Sequence, residues 1–426
     1  MRMRSIPEIA WEWLKIIIRV LIFIAMLAVA RYLYVEVTRD ALIVDPFDAP
    51  KILQDRGLYG DVVASRIGDA IRRIEEQTRT KMKKDSVAQK RDVDSMPIEE
   101  VHVGGVFTAE PVRLLQALFK RPVRHIEGDI VLDTSPSPNP ESRIARITIY
   151  VSHGWNPSQP ATVEGLLGDL NSLIQRAAEE ALRQANPYVL AVYRRQTQQY
   201  EQSIELARVI IRDPDQGPVQ RSAAYNLLGN VNNDQRNWKE AKANYQKAIE
   251  LNPSNVKAYN NWGNVLGIEG RFEEAIAKHQ MATRLDPKDP QSYVGWGAAL
   301  AEKEKFDDAI AKFREALKLD PSYSVAQLSL GMAVLGKGKL EDAIIELDKA
   351  IELDPKNSKA YLYLGLALRK QQDYKKAIAM FQKAIDLDPR NQTASEELAK
   401  TRRYQGETNE IEIKRPTIRR HSVPAH

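Results

Sequence analysis

A spacing of 34 residues recurs through the C-terminal half of the chain and constrains its fold more than any other feature. In each of five consecutive units, one glycine, two alanines and one proline keep the same position without an insertion or deletion. They are Gly229, Gly263, Gly297, Gly331 and Gly365; Ala241, Ala275, Ala309, Ala343 and Ala377; Ala248, Ala282, Ala316, Ala350 and Ala384; and Pro253, Pro287, Pro321, Pro355 and Pro389. A period of this length is typical of proteins in which each unit packs on its neighbours.

Each recurring residue has a mechanical role in a pair of antiparallel helices. Glycine and alanine let the two helices cross closely, and the proline ends the second helix because its ring cannot continue the hydrogen-bond ladder. In period and motif, residues 222–391 resemble the tetratricopeptide-repeat family. The resemblance implies an all-α superhelical solenoid whose first helices line a concave face.

The ends of the repeat array are less regular. Residues 187–221 have a helix–turn–helix outline but lack the small glycine, so we interpret them as a degenerate repeat. Residues 392–403 are predicted to form a polar capping helix, and residues 404–426 are predicted to be disordered.

The amino terminus predicts a membrane anchor. After a short segment (1–12), residues 13–35 are apolar and long enough for a bilayer core, with aromatic residues at both ends. We therefore predict a single-pass protein of the inner membrane, with its C-terminal domains in the periplasm. Two alternatives stay open: a signal peptide cleaved after Ala28-Val29-Ala30, and a cytoplasmic repeat domain.

Residues 36–186 predict a small α/β domain. Strand patterns occur at 41–47 and 98–104, a hairpin is expected around the turn-forming segment SPSPNP, and helices are expected at 111–119 and 161–186. The stretch 75–97 has no periodicity and predicts an exposed loop. The opening of the domain, IVDPFDAP, resembles an uncharacterised domain that precedes such repeats in bacterial envelope proteins. The predicted fold class is thus α+β: a transmembrane helix, an α/β domain and an all-α solenoid.

No active site is predicted. His102, His125 and His153 are the only histidines of the α/β domain, and none lies at metal-ligand spacing from another. The chain has no cysteine, which excludes disulfides and thiolate sites, and its net charge of +5 is too small to indicate nucleic-acid binding. We predict no catalytic, cofactor or metal site, no small-molecule substrate and no nucleic-acid partner. His279, which interrupts an aromatic series in the repeats, is interpreted as a packed histidine.

The predicted binding groove follows from the resemblance, because the inward-facing residues of the first helices fall into two zones. The front zone consists of asparagines, which can hydrogen-bond a peptide main chain: Asn226, Asn230, Asn233, Asn260, Asn261 and Asn264. The rear zone is apolar: Val294, Ala298, Leu328, Met332, Leu335, Leu362 and Leu366. The alternative interpretation is that these asparagines are simply solvated residues.

One variant of the family binds a terminal carboxylate through a cationic clamp. Asn230 and Asn261 match its asparagines, but Asn226, Gln291 and Gly295 stand at its cationic positions, so we expect no binding of that kind. The predicted function is a scaffold at the cell envelope that binds another protein or peptide in its groove. The alternative is a hydrolase or transferase in which the α/β domain acts and the repeats recruit its substrate. The sequence does not indicate the oligomeric state.

Overall fold

A computed structural model describes residues 41–55, 58–85, 100–103, 124–133, 140–153, 156–157 and 159–414. The chain divides into two compact units: the first comprises Met1–Met82 and Arg91–Asp213, and the second comprises Lys83–Lys90 and Pro214–His426.

A mixed β-sheet organises the first unit. Its strands are β1 (Ala41–Val44), β2 (Glu100–Val103), β3 (Arg124–Leu132), β4 (Ile144–His153), β5 (Asn156–Pro157) and β6 (Ala161–Leu166). The strand order is β2-β1-β3-β4-β5, and β6 also pairs with β4. Strand β1 runs parallel to β2 and β3, and the β3–β4 pair is the antiparallel hairpin that the sequence predicts.

Helices complete the first unit: α1 (Lys51–Gln54), α2 (Gly60–Asp85), α3 (Leu170–Ala185), α4 (Pro187–Gln196) and α5 (Tyr200–Arg212). One face of α2 is buried through Val63, Ile67, Ile71 and Ile74, at the spacing of an amphipathic helix. Helix α3 packs on β4 and β6, and α4 and α5 form the antiparallel pair expected of a degenerate repeat.

Two segments of the first unit differ from the sequence-based expectation. Residues 161–166 form strand β6, whose side chains alternate between half-buried and exposed, and the helix begins only at Leu170. Helix α2 continues to Asp85, through part of the stretch predicted as a loop. The buried apolar residues of its first half stabilise the helix, and the polar residues that follow extend it. The helix predicted at 111–119 lies outside the described residues.

The transmembrane part of the predicted fold class is corrected. Among the helices that the structure describes, none is long and apolar enough to cross a membrane. The segment predicted to span the membrane, residues 13–35, lies outside the described residues. The predicted location as a single-pass protein of the inner membrane is corrected with it.

The second unit consists of helices in consecutive antiparallel pairs. The pairs are α6 (Pro218–Asp234) with α7 (Trp238–Leu251), α8 (Val256–Ile268) with α9 (Phe272–Leu285), α10 (Pro290–Glu302) with α11 (Phe306–Leu319), α12 (Ser324–Gly336) with α13 (Leu340–Leu353), and α14 (Ser358–Lys370) with α15 (Tyr374–Leu387). Helix α16 (Gln392–Lys414) follows and extends past the predicted end of the capping helix at residue 403, into the predicted disordered tail.

The first helices of neighbouring pairs contact each other along the stack, whereas the second helices contact each other less. Elements on the inner side of a curved stack approach more closely than those on the outer side. The first helices therefore line the concave side of the solenoid, as the family resemblance implies.

One repeat position fills the core of each pair. Tyr245, Phe313, Leu347 and Phe381 occupy it and are fully buried or nearly so, and His279 stands at the equivalent place in the second pair. Each of these side chains lies directly against the recurring glycine of its own pair. The close approach explains why this position of the first helix carries no side chain.

A matched pair of glycine substitutions tests this close approach. A Cβ atom on Gly297 would lie 2.7 Å from Cε1 of Phe313, whereas one on Gly267 would meet nothing within 4 Å. We expect Gly297→Ala to lower the free energy of unfolding by about 1–3 kcal/mol through overpacking. Gly267→Ala should raise it by about 0.5–1 kcal/mol, because alanine favours the helix. Urea titration of both variants measures this, and effects of the same sign would contradict the packing argument.

Candidate protein-interaction groove

Two equivalent repeat positions, four residues apart on the first helix, account for ten of the thirteen predicted groove residues. The first row consists of Asn226, Asn260, Val294, Leu328 and Leu362, each 34 residues from the next. The second row consists of Asn230, Asn264, Ala298, Met332 and Leu366, with the same spacing. Asn233, Asn261 and Leu335 complete the predicted set.

Burial separates the two rows. Every side chain of the first row is buried, with between 3% and 9% of its surface exposed, and Leu335 is buried as well. The second row is half-buried or exposed at every repeat, as are Asn233 and Asn261. The second row therefore presents atoms at the surface, and the first row forms the layer beneath it.

Three asparagines at the front of the groove are joined by hydrogen bonds. The Nδ2 group of Asn261 donates to Oδ1 of Asn226 at 3.1 Å and to Oδ1 of Asn230 at 2.9 Å. The hydroxyl of Tyr245 also donates to Oδ1 of Asn230, at 2.9 Å. These bonds fix the orientation of the half-buried amides of Asn230 and Asn261.

The remaining amide atoms form a complementary pair. Within the described part of the chain, neither Nδ2 of Asn230 nor Oδ1 of Asn261 has a hydrogen-bond partner. Nδ2 of Asn230 is a donor and Oδ1 of Asn261 is an acceptor. Together they could hydrogen-bond the C=O and the N–H of a peptide main chain. Asn264, on the next turn and exposed, extends the polar surface.

A second polar network lies beneath the groove, around His279. Asn260 donates through Nδ2 to Asp289 Oδ2 and to Ser292 Oγ, both at 2.8 Å, and its Oδ1 lies 3.1 Å from Nδ1 of His279. Asp289 also caps helix α10 by accepting from the backbone N–H groups of Gln291 and Ser292. Asn260 thus bonds within the protein, and its role is internal.

Burial shifts the titration of this network. Removal from water lowers the pKa of His279 to about 4, so that the imidazole is neutral at pH 7. Burial raises the pKa of Asp289, against the hydrogen bonds from Ser292 and Asn260. Burial, followed by the charges of Asp289 and Asp320, raises the pKa of Tyr323 to about 12.

The rear of the groove is apolar at the surface. Ala298 is exposed, and Met332 and Leu366 are half-buried and pack against the main apolar core of the repeats. The change from amide to apolar side chains in the second row falls between the second and the third repeat. The surface therefore has a polar end and an apolar end.

The structure also explains why a cationic clamp does not form here. A Cβ atom on Gly295 would lie 2.2 Å from Cε1 of His279, so the buried imidazole occupies the space of any longer side chain. The other two clamp positions hold Asn226, which is buried, and Gln291, which is half-buried; neither is charged.

Some features of the described residues have little signal in the sequence. Lys278 lies over the ring of Trp262, with Nζ 3.6 Å from the ring centroid, and Lys312 lies over Trp296 at 3.9 Å in the next repeat. The 34-residue spacing of both members is the signal that could have found this pair. Among the described residues, one group of side chains could hold a metal ion, and it belongs to the first unit.

Paired antiparallel helices in a gap-free 34-residue register, with an accessible row on the first helices, define a helical-repeat interaction protein. Family models agree: the tetratricopeptide repeat matches residues 294–358 and 358–391, and the TPR repeat matches residues 229–267. Residues 229–267 and 294–391 of the chain therefore match the tetratricopeptide-repeat family.

Several solved structures are similar to part of the chain. YrrB, described as a TPR protein with an unusual peptide-binding site, is 26% identical, covers 41% of this chain and 89% of its own, and has a TM-score of 0.33. PilF from Pseudomonas aeruginosa is 19% identical over 54% of this chain and 99% of its own, with a TM-score of 0.43. MamA is 24% identical over 39% of this chain and 92% of its own, with a TM-score of 0.34. The comparison with curated protein sequences finds no match.

Proposed function

We propose that this protein-interaction scaffold holds an extended segment of a partner protein along the second row of its groove. The coarser role, binding another protein, follows from the repeats themselves. The finer proposal is supported by the fixed amides of Asn230 and Asn261, whose remaining donor and acceptor face the accessible surface. Tetratricopeptide-repeat proteins are usually adaptors without catalytic activity, and we propose no reaction for this chain.

Recognition at the front would be independent of the partner's side chains. A peptide carbonyl would accept from Nδ2 of Asn230, and a peptide N–H would donate to Oδ1 of Asn261. Because the hydrogen bonds from Tyr245 and between the asparagines already hold these amides, little side-chain entropy is lost on binding.

Selectivity would come from the rear of the groove. Ala298, Met332 and Leu366 follow one another at the spacing of the repeats and offer apolar contact. We propose that the partner segment carries apolar side chains at the end that lies on these repeats. Since no cation stands at the clamp positions, a terminal carboxylate contributes nothing to this mode of binding.

The experiment is a selection from a random peptide library displayed on phage against the full chain, followed by affinity measurements with labelled peptides. Asn230→Ala combined with Asn261→Ala should weaken the selected peptides roughly tenfold, since each of the two lost hydrogen bonds contributes about 0.5–1.5 kcal/mol. Leu366→Lys should weaken only those peptides that have an apolar end.

Gln246→Ala is the matched control, because Gln246 is exposed on the second helix α7. The control should leave every affinity unchanged. Peptides that bind the asparagine variant as well as the wild type, or that lose affinity in the control, would place binding outside this groove.

A further inference from the structure

Three side chains of types that can bind a metal ion lie close together in the first unit: Asp45 at the end of β1, and His125 and Glu127 on β3. Strand β1 pairs in parallel with β3, with Val44 opposite Ile126, and Asp45 follows directly, with its N–H donating to the carbonyl of Ile126 at 2.9 Å. His125 and Glu127 flank Ile126, so both lie on the face of β3 opposite to that buried residue. The paired backbones therefore fix the positions of all three.

The distances between these side chains suit a single ion. Nδ1 of His125 lies 2.7 Å from Oδ2 of Asp45, and one ligand atom from each of Asp45, His125 and Glu127 lies within 4.8 Å of the others. Ligands at the usual zinc distances are roughly 3.3 Å apart in a tetrahedral arrangement. The His125–Asp45 pair would open by roughly half an ångström to admit the ion, which would replace the proton between them.

The charges of the group also call for a cation. Asp45 directly follows the end of β1 and lies beside β3, so its carboxylate and that of Glu127 are like charges held close together, which is unfavourable. Among the residues that the structure describes, the side chain of Glu127 makes no hydrogen bond or ion pair, and the carboxylate of Asp45 pairs only with His125. Asp129, two residues along the same face of β3, adds a further carboxylate and accepts from the hydroxyl of Tyr150.

The ligand types select the class of ion. Mg²⁺ and Ca²⁺ prefer oxygen ligands, whereas a set of one imidazole and two carboxylates suits Zn²⁺ and neighbouring divalent transition metals. We propose that Asp45, His125 and Glu127 bind a divalent transition metal ion such as Zn²⁺, with water in the remaining positions. Two carboxylates and a neutral imidazole balance its double charge.

Isothermal titration of the full chain with Zn²⁺ alone, after treatment with a chelator, tests the proposal. The wild type should bind one equivalent at this site, and His125→Asn and Asp45→Asn should each weaken that binding at least tenfold. Co²⁺ should give visible absorption bands that are lost in His125→Asn. Because the chain has no cysteine, thiolate ligands cannot give rise to these bands.

Glu164→Gln is the matched control, since this carboxylate lies on β6 of the same sheet and pairs with Arg146. It should bind Zn²⁺ like the wild type. Equal Zn²⁺ affinity in wild type and His125→Asn, or displacement of Zn²⁺ by a modest excess of Mg²⁺, would overturn the proposal. Circular dichroism without metal verifies that each variant folds. If His125→Asn does not fold, the Zn²⁺ affinity of Asp45→Asn is the test of the proposal.

Discussion

Phe313→Ala is expected to lower the free energy of unfolding of the repeats by about 3–5 kcal/mol, the cost of removing a buried phenylalanine and leaving a cavity. Phe313 is 1% exposed and packs directly against the backbone of Gly297. Because neighbouring repeats depend on their shared interfaces, a defect in the middle repeat also weakens the pairs on both sides.

Urea unfolding of the full chain, followed by circular dichroism, measures this loss. Ile345→Ala is the matched control, because Ile345 is an apolar residue of the following repeat with 52% of its surface exposed. The control should change the free energy of unfolding by less than about 0.5 kcal/mol. A comparable loss in both variants would show that the recurring core position contributes no more to the free energy of unfolding than an exposed apolar residue does.

Acid should destabilise the repeats through His279. Burial lowers its pKa to about 4 in the folded protein, from about 6.5 in the unfolded chain. The unfolded chain therefore binds the proton more readily, and stability that is complete above pH 6.5 is lost as the pH falls towards 4. At pH 4.5 the loss from this residue is on the order of 2–3 kcal/mol.

His279→Phe isolates this contribution, because phenylalanine occupies the same repeat position at 313 and 381. The variant should lack that fall in stability between pH 7 and pH 4.5, as measured by urea unfolding at both values. His279→Leu, which copies Leu347, serves if the larger ring does not fit. Asp289, whose raised pKa acts in the opposite direction, is retained in both variants. Parallel pH profiles in wild type and variants would contradict the assignment.

The repeats could be predicted from the sequence because one constraint recurs five times. Each glycine lies against a large core residue, and each proline follows the end of a second helix. The same residue types therefore recur at the same positions of every unit. The first unit offers no such repetition. Residues 161–166 contain apolar side chains that suit a helix as well as a strand, and their pairing with β4 decides in favour of the strand.

The groove could be predicted only in part, because the position of a residue on the first helix does not determine how deeply its side chain is buried. Asn226 and Asn230 are one helical turn apart, yet the first is buried and the second reaches the surface. The network around His279 depends on Asp289, which belongs to the following turn and has no marker in the sequence. The group of Asp45, His125 and Glu127 depends on the register of two strands that are distant in sequence.

The gap-free register of the second row has a consequence for how such a groove could change in length. Asn264 and Ala298 are separated by one complete unit, as are all neighbours in the row. Duplicating or removing a whole unit would lengthen or shorten the surface by one step and leave the packing of the other units intact. The distance between a partner's main-chain contact and its apolar anchor is therefore set by a count of units, and it can vary only in whole steps.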